Sequence, residues 1–169
     1  MHARRRPAIK PASREGDRSR FIVEGDVDAA EWLRAYEGFV QAEPDGHVLW
    51  DLTEGSLNIL SAADVRELAR SVCAIRDREH ASGRFALVCR RDVDFGIARM
   101  LVIYAGCADA RAPMQVFRDA DLAWRWLSGA DVLECLRGDV RTSKRNDPRL
   151  PTPDAGSPRL GASSLPPSA

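Results

Sequence analysis

The sequence lacks the residue clusters that metal sites and nucleophilic active sites require. It has no CxxC pair, and its histidines never share a helix face with a carboxylate at ligand spacing. Zinc sites and Ser/His/Asp or Cys/His sets bring such residues together. We therefore predict no metal, no cofactor and no catalytic residues, and we expect that the chain is not an enzyme. The scattered residues are Cys73, Cys89, Cys107 and Cys135 together with His2, His47 and His80.

Long apolar stretches are missing as well. No apolar run approaches the ~20 residues that a membrane-spanning helix needs. The arginines near the amino terminus are not followed by the apolar segment of a secretory signal. We therefore expect a soluble, cytoplasmic protein with no membrane span and with reduced thiols.

The charge of the chain is balanced overall but unevenly distributed. Residues 1–20 carry a net charge of +5, residues 21–137 a net charge of −7, and residues 138–169 a net charge of +2. An acidic globular part would repel phosphate groups, which disfavours nucleic acid as a partner. Both ends hold many charges and prolines. We predict a disordered basic tail over residues 1–19, with a weak edge strand near Ile9 as the alternative, and a disordered tail over residues 138–169.

Between the two ends, strand-like apolar runs alternate with segments that have apolar residues at helical spacing. This alternation predicts one α/β domain over residues 20–137, with a four- to five-stranded, mostly parallel sheet and about four helices. The runs that predict strands are residues 21–23, 48–52, 84–89 and 114–117. The residues placed to cap helices are Asp28, Ser61, Asp94 and Asp119.

The second and third helices have bounds that can be read from the sequence. The second runs from Ser61 to about residues 82–83, where glycine follows serine. The third is apolar almost all round from Phe95 to Ala105, with Arg99 as its single charge. A helix of that composition is expected to be largely buried.

Ligand sites in parallel sheets lie beyond the carboxyl ends of the strands. That rule places residues 51–61, 90–94 and 118–119 on one rim of the sheet. The polar side chains of this rim, together with an arginine inside the third helix, are our binding candidates. These candidates are Asp51, Thr53, Ser56, Asn58, Arg90 and Arg99.

Arg99 has two interpretations. Its long side chain could extend from a buried helix to pair with an acid such as Asp92 or Asp51. Alternatively, it could help to bind an anion at the rim, because it lies about one turn inside the helix.

Ser61 also has two interpretations. Asp64 follows it by three residues, which predicts a capping box at the start of the second helix. The alternative is a phosphorylation switch, because the free amides and the dipole of a helix amino terminus favour a phosphate. The carboxylate of Asp64 would repel that phosphate.

Several segments resemble a known family. The segment HVLWDLTEGSLNILSAADVREL resembles the strand, loop and helix of the STAS domain in anti-sigma-factor antagonists. The segments RFALVC, VDFGIARM and VFRDADLAWRWL are similar to the SpoIIAA-like (STAS/SEC14) group of bacterial proteins. The resemblance covers about residues 20–128. It implies a STAS-like single domain, with a mixed sheet that begins with an antiparallel edge strand.

The resemblance also implies a function. Partner-switching antagonists carry Asp-Ser-Ser-Gly at the start of this helix and are phosphorylated on a serine, whereas this chain has Leu-Ser-Ala-Ala over residues 60–63. Only Ser61 carries over, as a candidate phosphorylation site. The implied role is a regulatory module without enzymatic activity that binds a protein partner, such as a regulator or a kinase. The SEC14 side of the family implies the alternative, a small apolar or lipid-like ligand at the rim.

Overall fold

The α/β class, the mostly parallel sheet and the four helices are confirmed. The computed structural model describes residues 7–108 and 113–130. The predicted tail residues 1–6 and 138–169, and residues 131–137 of the predicted domain, lie outside the described residues. The elements are β1 (Ala8–Glu15), β2 (Arg18–Asp26), α1 (Ala29–Ala42), β3 (His47–Ser56), α2 (Ala62–Arg78), β4 (Phe85–Val88), α3 (Asp92–Ala108), β5 (Met114–Phe117) and α4 (Ala120–Leu127).

The five strands form one sheet in the order β1-β2-β3-β4-β5. Strand β1 is antiparallel to β2, and the remaining neighbours are parallel. The carboxyl ends of β2 to β5 therefore meet at one rim, as predicted. A mixed sheet that begins with an antiparallel strand is the arrangement that the family resemblance implied.

Residues 8–19 form a hairpin, so the prediction of a disordered tail is wrong for this part. The alternative, an edge strand near Ile9, is correct. Strand β1 pairs with β2 across a turn at Gly16, whose φ of 61° favours glycine. Lys10 pairs with Glu24 across the two strands at 2.9 Å. Backbone hydrogen bonds and cross-strand charge pairs stabilise an exposed strand that has almost no apolar pattern.

The larger core lies between one face of the sheet and the helices α1, α2 and α3. Its centre is Trp50 of β3, which is fully buried. The ring of Phe21 stacks on Trp50 at a centroid distance of 4.8 Å, and Trp32 of α1 lies 5.2 Å away. Such aromatic pairs add stability beyond the area that they bury.

The smaller core lies on the opposite face, beneath α4. Because side chains alternate along a strand, Leu49 and Asp51 point to this face while Trp50 points to the other. Leu122, Ala123, Trp126 and Leu127 of α4 pack on Leu49, Ala86, Val88 and Phe117.

Helix α3 is less buried than its composition predicted. Ala98, Leu101 and Ala105 face the core, but Val93 and Ile103 are 62% and 56% exposed. The helix lies beside α2 and covers the β5 end of the sheet. Val93 and Ile103 therefore lie on an outer side of α3 that the other described residues leave largely uncovered. None of the described helices is both long enough and apolar enough to cross a membrane.

Two predicted bounds also need correction. Residues 53–56, which were expected in a loop, continue β3 and pair with the end of β2. Gly55 is required there, because a Cβ at this position would lie 2.6 Å from the carbonyl oxygen of Val23. Helix α2 ends at Arg78 rather than near residues 82–83, since the chain turns at His80 with a φ of 52°.

Candidate functional site

The buried carboxylate of Asp94 joins two loops at the rim. Asp94 lies in the first turn of α3 and is 1% exposed. It accepts hydrogen bonds from the amide of Leu57 at 2.8 Å and from the hydroxyl of Ser56 at 3.2 Å. It also pairs with Arg91 at 2.5 Å. We predicted that Asp94 caps its own helix, and this is wrong: α3 begins at Asp92, and the carboxylate of Asp94 holds the β3–α2 loop.

Arg118, in the loop after β5, connects that loop to the loop after β4 and to the first turn of α3. Its guanidinium donates to the carbonyl oxygen of Arg90 at 2.6 Å and to Asp92 at 2.7 Å. Its central carbon lies 4.0 Å from the ring centroid of Phe95, which is a close cation–π contact. The polar groups at the ends of β3, β4 and β5 are therefore largely bonded to one another.

Asp51, which we predicted as a binding residue, is buried and forms an ion pair. Its side chain is 6% exposed and pairs with Arg20 of the neighbouring strand. The amide of Thr53 donates to the other carboxylate oxygen at 2.9 Å. Burial opposes the ionised form, but the hydrogen bonds from Thr53 and Arg20 outweigh it and hold the pKa of Asp51 below its usual value. Asp51 faces the α4 side of the sheet, so it does not join Asp94.

The other predicted rim residues divide into buried and exposed groups. Ser56 is 3% exposed, donates to Asp94 and accepts from the amide of Asn58 at 3.1 Å. Thr53 is half-buried, while the side chains of Asn58 and Arg90 are exposed. Only the exposed pair can meet a partner without rearrangement of the loops.

Arg99 is exposed on the outer side of α3, and the predicted pairing with Asp92 or Asp51 is wrong. Those acids pair with Arg118 and Arg20 instead. Among the described residues, no hydrogen bond or ion pair of the Arg99 side chain is recorded. The anion-binding interpretation of Arg99 stays a prediction.

Exposed apolar side chains lie on α3 and in the loop before α2. Among the described residues, the three large hydrophobic side chains with high exposure are Ile59, Val93 and Ile103, at 46%, 62% and 56%. Ile59 lies in the β3–α2 loop that Asp94 holds, and the other two lie on the outer side of α3. Gly96, between them on the helix, has open space where a Cβ would project. We call Ile59, Val93, Gly96, Arg99 and Ile103 the α3 surface.

Ser61 forms the predicted capping box. Its hydroxyl accepts from the amide of Asp64 at 3.2 Å, and its own amide donates to the Asp64 carboxylate at 2.8 Å. The hydroxyl also donates to that carboxylate at 2.7 Å. These hydrogen bonds from Ser61 lower the pKa of Asp64. Ser61 is exposed, so its oxygen is accessible from solvent.

The thiol nearest to the rim is not poised for nucleophilic chemistry. Cys89 directly follows β4 and is fully buried. Burial, together with the negative charge of Asp94, raises its pKa to about 12. A thiol is reactive as the thiolate, which this environment suppresses. Within residues 7–108 and 113–130, no group of three or more His, Cys, Asp or Glu side chains could hold a metal ion.

Sequence reasoning missed the residues that organise the rim. Asp94 and Arg118 were visible as charges beside buried segments, but their partners in the rim lie 26 to 38 residues away along the chain. Arg91 pairs with Asp94 within the same segment. A buried aspartate within a largely apolar helix was a usable signal, since such a residue is rarely buried without a partner.

No protein-family model matches the chain, and no curated protein matches it. The STAS/SEC14 resemblance therefore stays a prediction from the segments quoted above.

Proposed function

We propose that this chain is a STAS/SEC14-like regulatory module without enzymatic activity, and that it docks a protein partner through the α3 surface. One observation carries the proposal: the highly exposed large apolar side chains of the described residues belong to α3, which has Val93 and Ile103, and to the loop bonded to its first turn, which has Ile59. Exposed apolar side chains that cluster beside polar groups are typical of protein interaction sites.

The state of the rim supports a partner rather than a small molecule. Asp94 and Arg118 take up the polar groups between the strand ends, so those groups have bonds within the chain. The first turn of α3 and the loop before α2 are thereby fixed to each other. A fixed surface loses little conformational entropy on docking, which favours affinity.

A capture experiment with matched variants tests this proposal. Tagged full-length protein and the variants Ile59→Glu and Ile103→Glu are incubated with native lysate, and the bound proteins are quantified. We expect both variants to lose a partner that the wild type retains, by about tenfold or more, because a buried charge opposes an apolar contact.

Gln41→Glu is the control, since it adds the same charge at an exposed position of α1. The proposal fails if the wild type retains no partner. It also fails if Ile59→Glu and Ile103→Glu retain the same proteins in equal amounts.

The alternative proposal is a small apolar or lipid-like ligand at the rim. Native mass spectrometry of freshly purified protein would then show bound mass, and a spectrum of the bare chain would remove this alternative. The capture experiment tests only the protein partner, and the mass spectrum tests only the small ligand. Each proposal can therefore fail without the other.

We also propose Ser61 as a phosphorylation site. Its exposed hydroxyl at the amino terminus of α2 supports the idea, and the nearby carboxylate of Asp64 opposes it. Phosphopeptide mapping from cells and incubation with candidate kinases test it, with Ser61→Ala as the control. If both leave Ser61 unmodified, the site should be dropped.

A further inference from the structure

The end of the sheet opposite the rim has a pocket of about 340 Å³. It lies where the parallel strands begin and where α4 ends. Its walls come from the β1–β2 turn, from the residues that start β2, β3 and β4, and from the last turn of α4. The lining residues are Asp17, Arg18, His47, Arg84, Leu127, Ser128 and Gly129.

Two arginines of this pocket are held over tryptophan rings. The guanidinium carbon of Arg84 lies 5.3 Å from the ring centroid of Trp126, and that of Arg18 lies 5.0 Å from the ring centroid of Trp124. Nη1 of Arg84 also donates to the carbonyl oxygen of Trp126 at 2.6 Å. Guanidinium groups that are stacked in this way keep their remaining N–H groups oriented for a planar or tetrahedral anion.

His47 supplies a third donor. Its Nδ1 accepts a hydrogen bond from the backbone amide of Arg84 at 3.0 Å, so Nδ1 carries no proton. In the neutral ring the proton is then on Nε2. Nε2 lies 3.8 Å from a carboxylate oxygen of Asp17, which is too long for a hydrogen bond.

The charges of the pocket are only partly compensated. Two arginines face one lining acid, Asp17, whose side chain is 69% exposed. Among the described residues, the only recorded hydrogen bond of the half-buried Arg84 guanidinium goes to the neutral carbonyl of Trp126. Arg18 pairs with Glu15 at 3.4 Å, and that acid is 62% exposed. Arginine binds carboxylates and phosphates through paired N–H groups, so Arg84 in particular lacks the partner that it suits best.

We propose that this pocket binds the oxyanion of a small ligand, a phosphate or a carboxylate group, between Arg18 and Arg84 with Nε2 of His47 as the third donor. The volume limits the ligand to a small molecule. The site does not depend on the partner proposed above, because it lies at the other end of the strands.

The four tryptophans of the chain allow a direct test. Inorganic phosphate and, separately, acetate are titrated into ¹⁵N-labelled full-length protein at constant ionic strength. The four indole N–H signals are followed by NMR. We expect saturable shifts of Trp124 and Trp126, which lie under the arginines, while Trp32 and Trp50 in the other core stay unchanged. Comparison of the two anions shows whether a phosphate or a carboxylate is preferred.

Variants identify the residues that bind. Arg84→Gln should weaken the preferred anion about tenfold, because it removes charge-assisted hydrogen bonds. Arg70→Gln is the control, since it removes an exposed arginine of α2. Asp17→Asn should tighten binding several-fold by removing the opposing charge, a gain that misfolding cannot mimic.

Two results would overturn the proposal. The first is that the indole chemical shifts change linearly with the concentration of both anions and change equally in Arg84→Gln and Arg70→Gln. General ionic effects would produce that result. The second is unchanged or weaker binding in Asp17→Asn.

Discussion

The two faces of the sheet are covered to different extents. Three helices cover one face, where an aromatic cluster surrounds Trp50, whereas α4 is the only described helix that packs on the other. Strand β3 belongs to both, and its alternation places Trp50 and Asp51 on opposite sides. At this pair of positions the more covered face holds an aromatic ring, and the less covered face holds a charge that a neighbouring arginine compensates.

Each face also holds one buried carboxylate. On the three-helix side, Asp94 has an amide, a hydroxyl and Arg91 as partners. On the α4 side, Asp51 has the amide of Thr53 and Arg20, whose side chain is 37% exposed. Both arginine partners are partly exposed, since the Arg91 side chain is 56% exposed. The difference is that Asp94 also accepts from two buried neutral donors, the amide of Leu57 and the hydroxyl of Ser56. The two carboxylates should respond differently to removal.

The largest losses of stability should come from truncation of the two central tryptophans, one on each face of the sheet. Trp50→Ala should lower the free energy of unfolding by about 4 kcal/mol, because it empties a fully buried site among several rings. Trp126→Ala should cost about 3 kcal/mol, since the smaller core has fewer neighbours that lose contacts. Urea unfolding followed by circular dichroism measures both. A larger loss for Trp126→Ala would show that α4 contributes more than its coverage indicates.

Removal of each carboxylate tests the second contrast. Asp94→Ala should cost about 3 kcal/mol, since it leaves Ser56, Leu57 and Arg91 without their shared acceptor. Asp51→Ala should cost about 1.5 kcal/mol, because it removes the acceptor of only one neutral donor, the amide of Thr53, besides that of Arg20. Chemical unfolding of both variants at pH 7 gives the two values. Equal losses would mean that the additional buried donors on Asp94 do not matter here.

Measuring stability as a function of pH separates the contribution of the Asp51 charge from the contribution of its packing. A carboxyl whose pKa is lowered by folding stabilises the native state above its unfolded pKa of about 3.9, and that contribution is lost as the pH falls through the folded pKa. Asp51→Asn should therefore be less stable than the wild type at pH 7, and the difference should shrink as the pH falls below about 4. A difference that stays constant from pH 7 to pH 2 would contradict the ion pair with Arg20.

The smallest losses of stability should come from removal of one helix cap on each side of the sheet. Ser61→Ala should cost about 1 kcal/mol, because it removes half of the capping box of α2. Asp119→Ala should cost a similar amount in α4, where the carboxylate accepts from the amides of Asp121 and Leu122. Thermal unfolding of both variants measures the losses. If Asp119→Ala exceeds Ser61→Ala by 2 kcal/mol or more, the cap of α4 anchors the whole smaller core.

Much of the fold could be predicted because its signals are local. The apolar runs of β3 and β4 and the caps at Asp28, Ser61 and Asp119 each lie within a few neighbouring residues. Strand β1 was only the weaker alternative, since it is stabilised by its pairing with β2. The candidate site was predicted less well: Asn58 and Arg90 are exposed at the rim, but Asp51 and Ser56 are buried in contacts within the chain.

The sequence by itself determined the order of strands and helices from β2 onward, the rim where the parallel strands end, and the capping box of α2. These follow from residue spacing and from the preferences of single residues at helix ends. Only the tertiary structure decided which side of α3 faces solvent, that Asp94 holds a loop far away in the chain, and that Arg18 and Arg84 share one pocket. Each of these depends on which segments become neighbours when the strands pair and the helices pack on the sheet. Residue spacing along one segment does not contain that information.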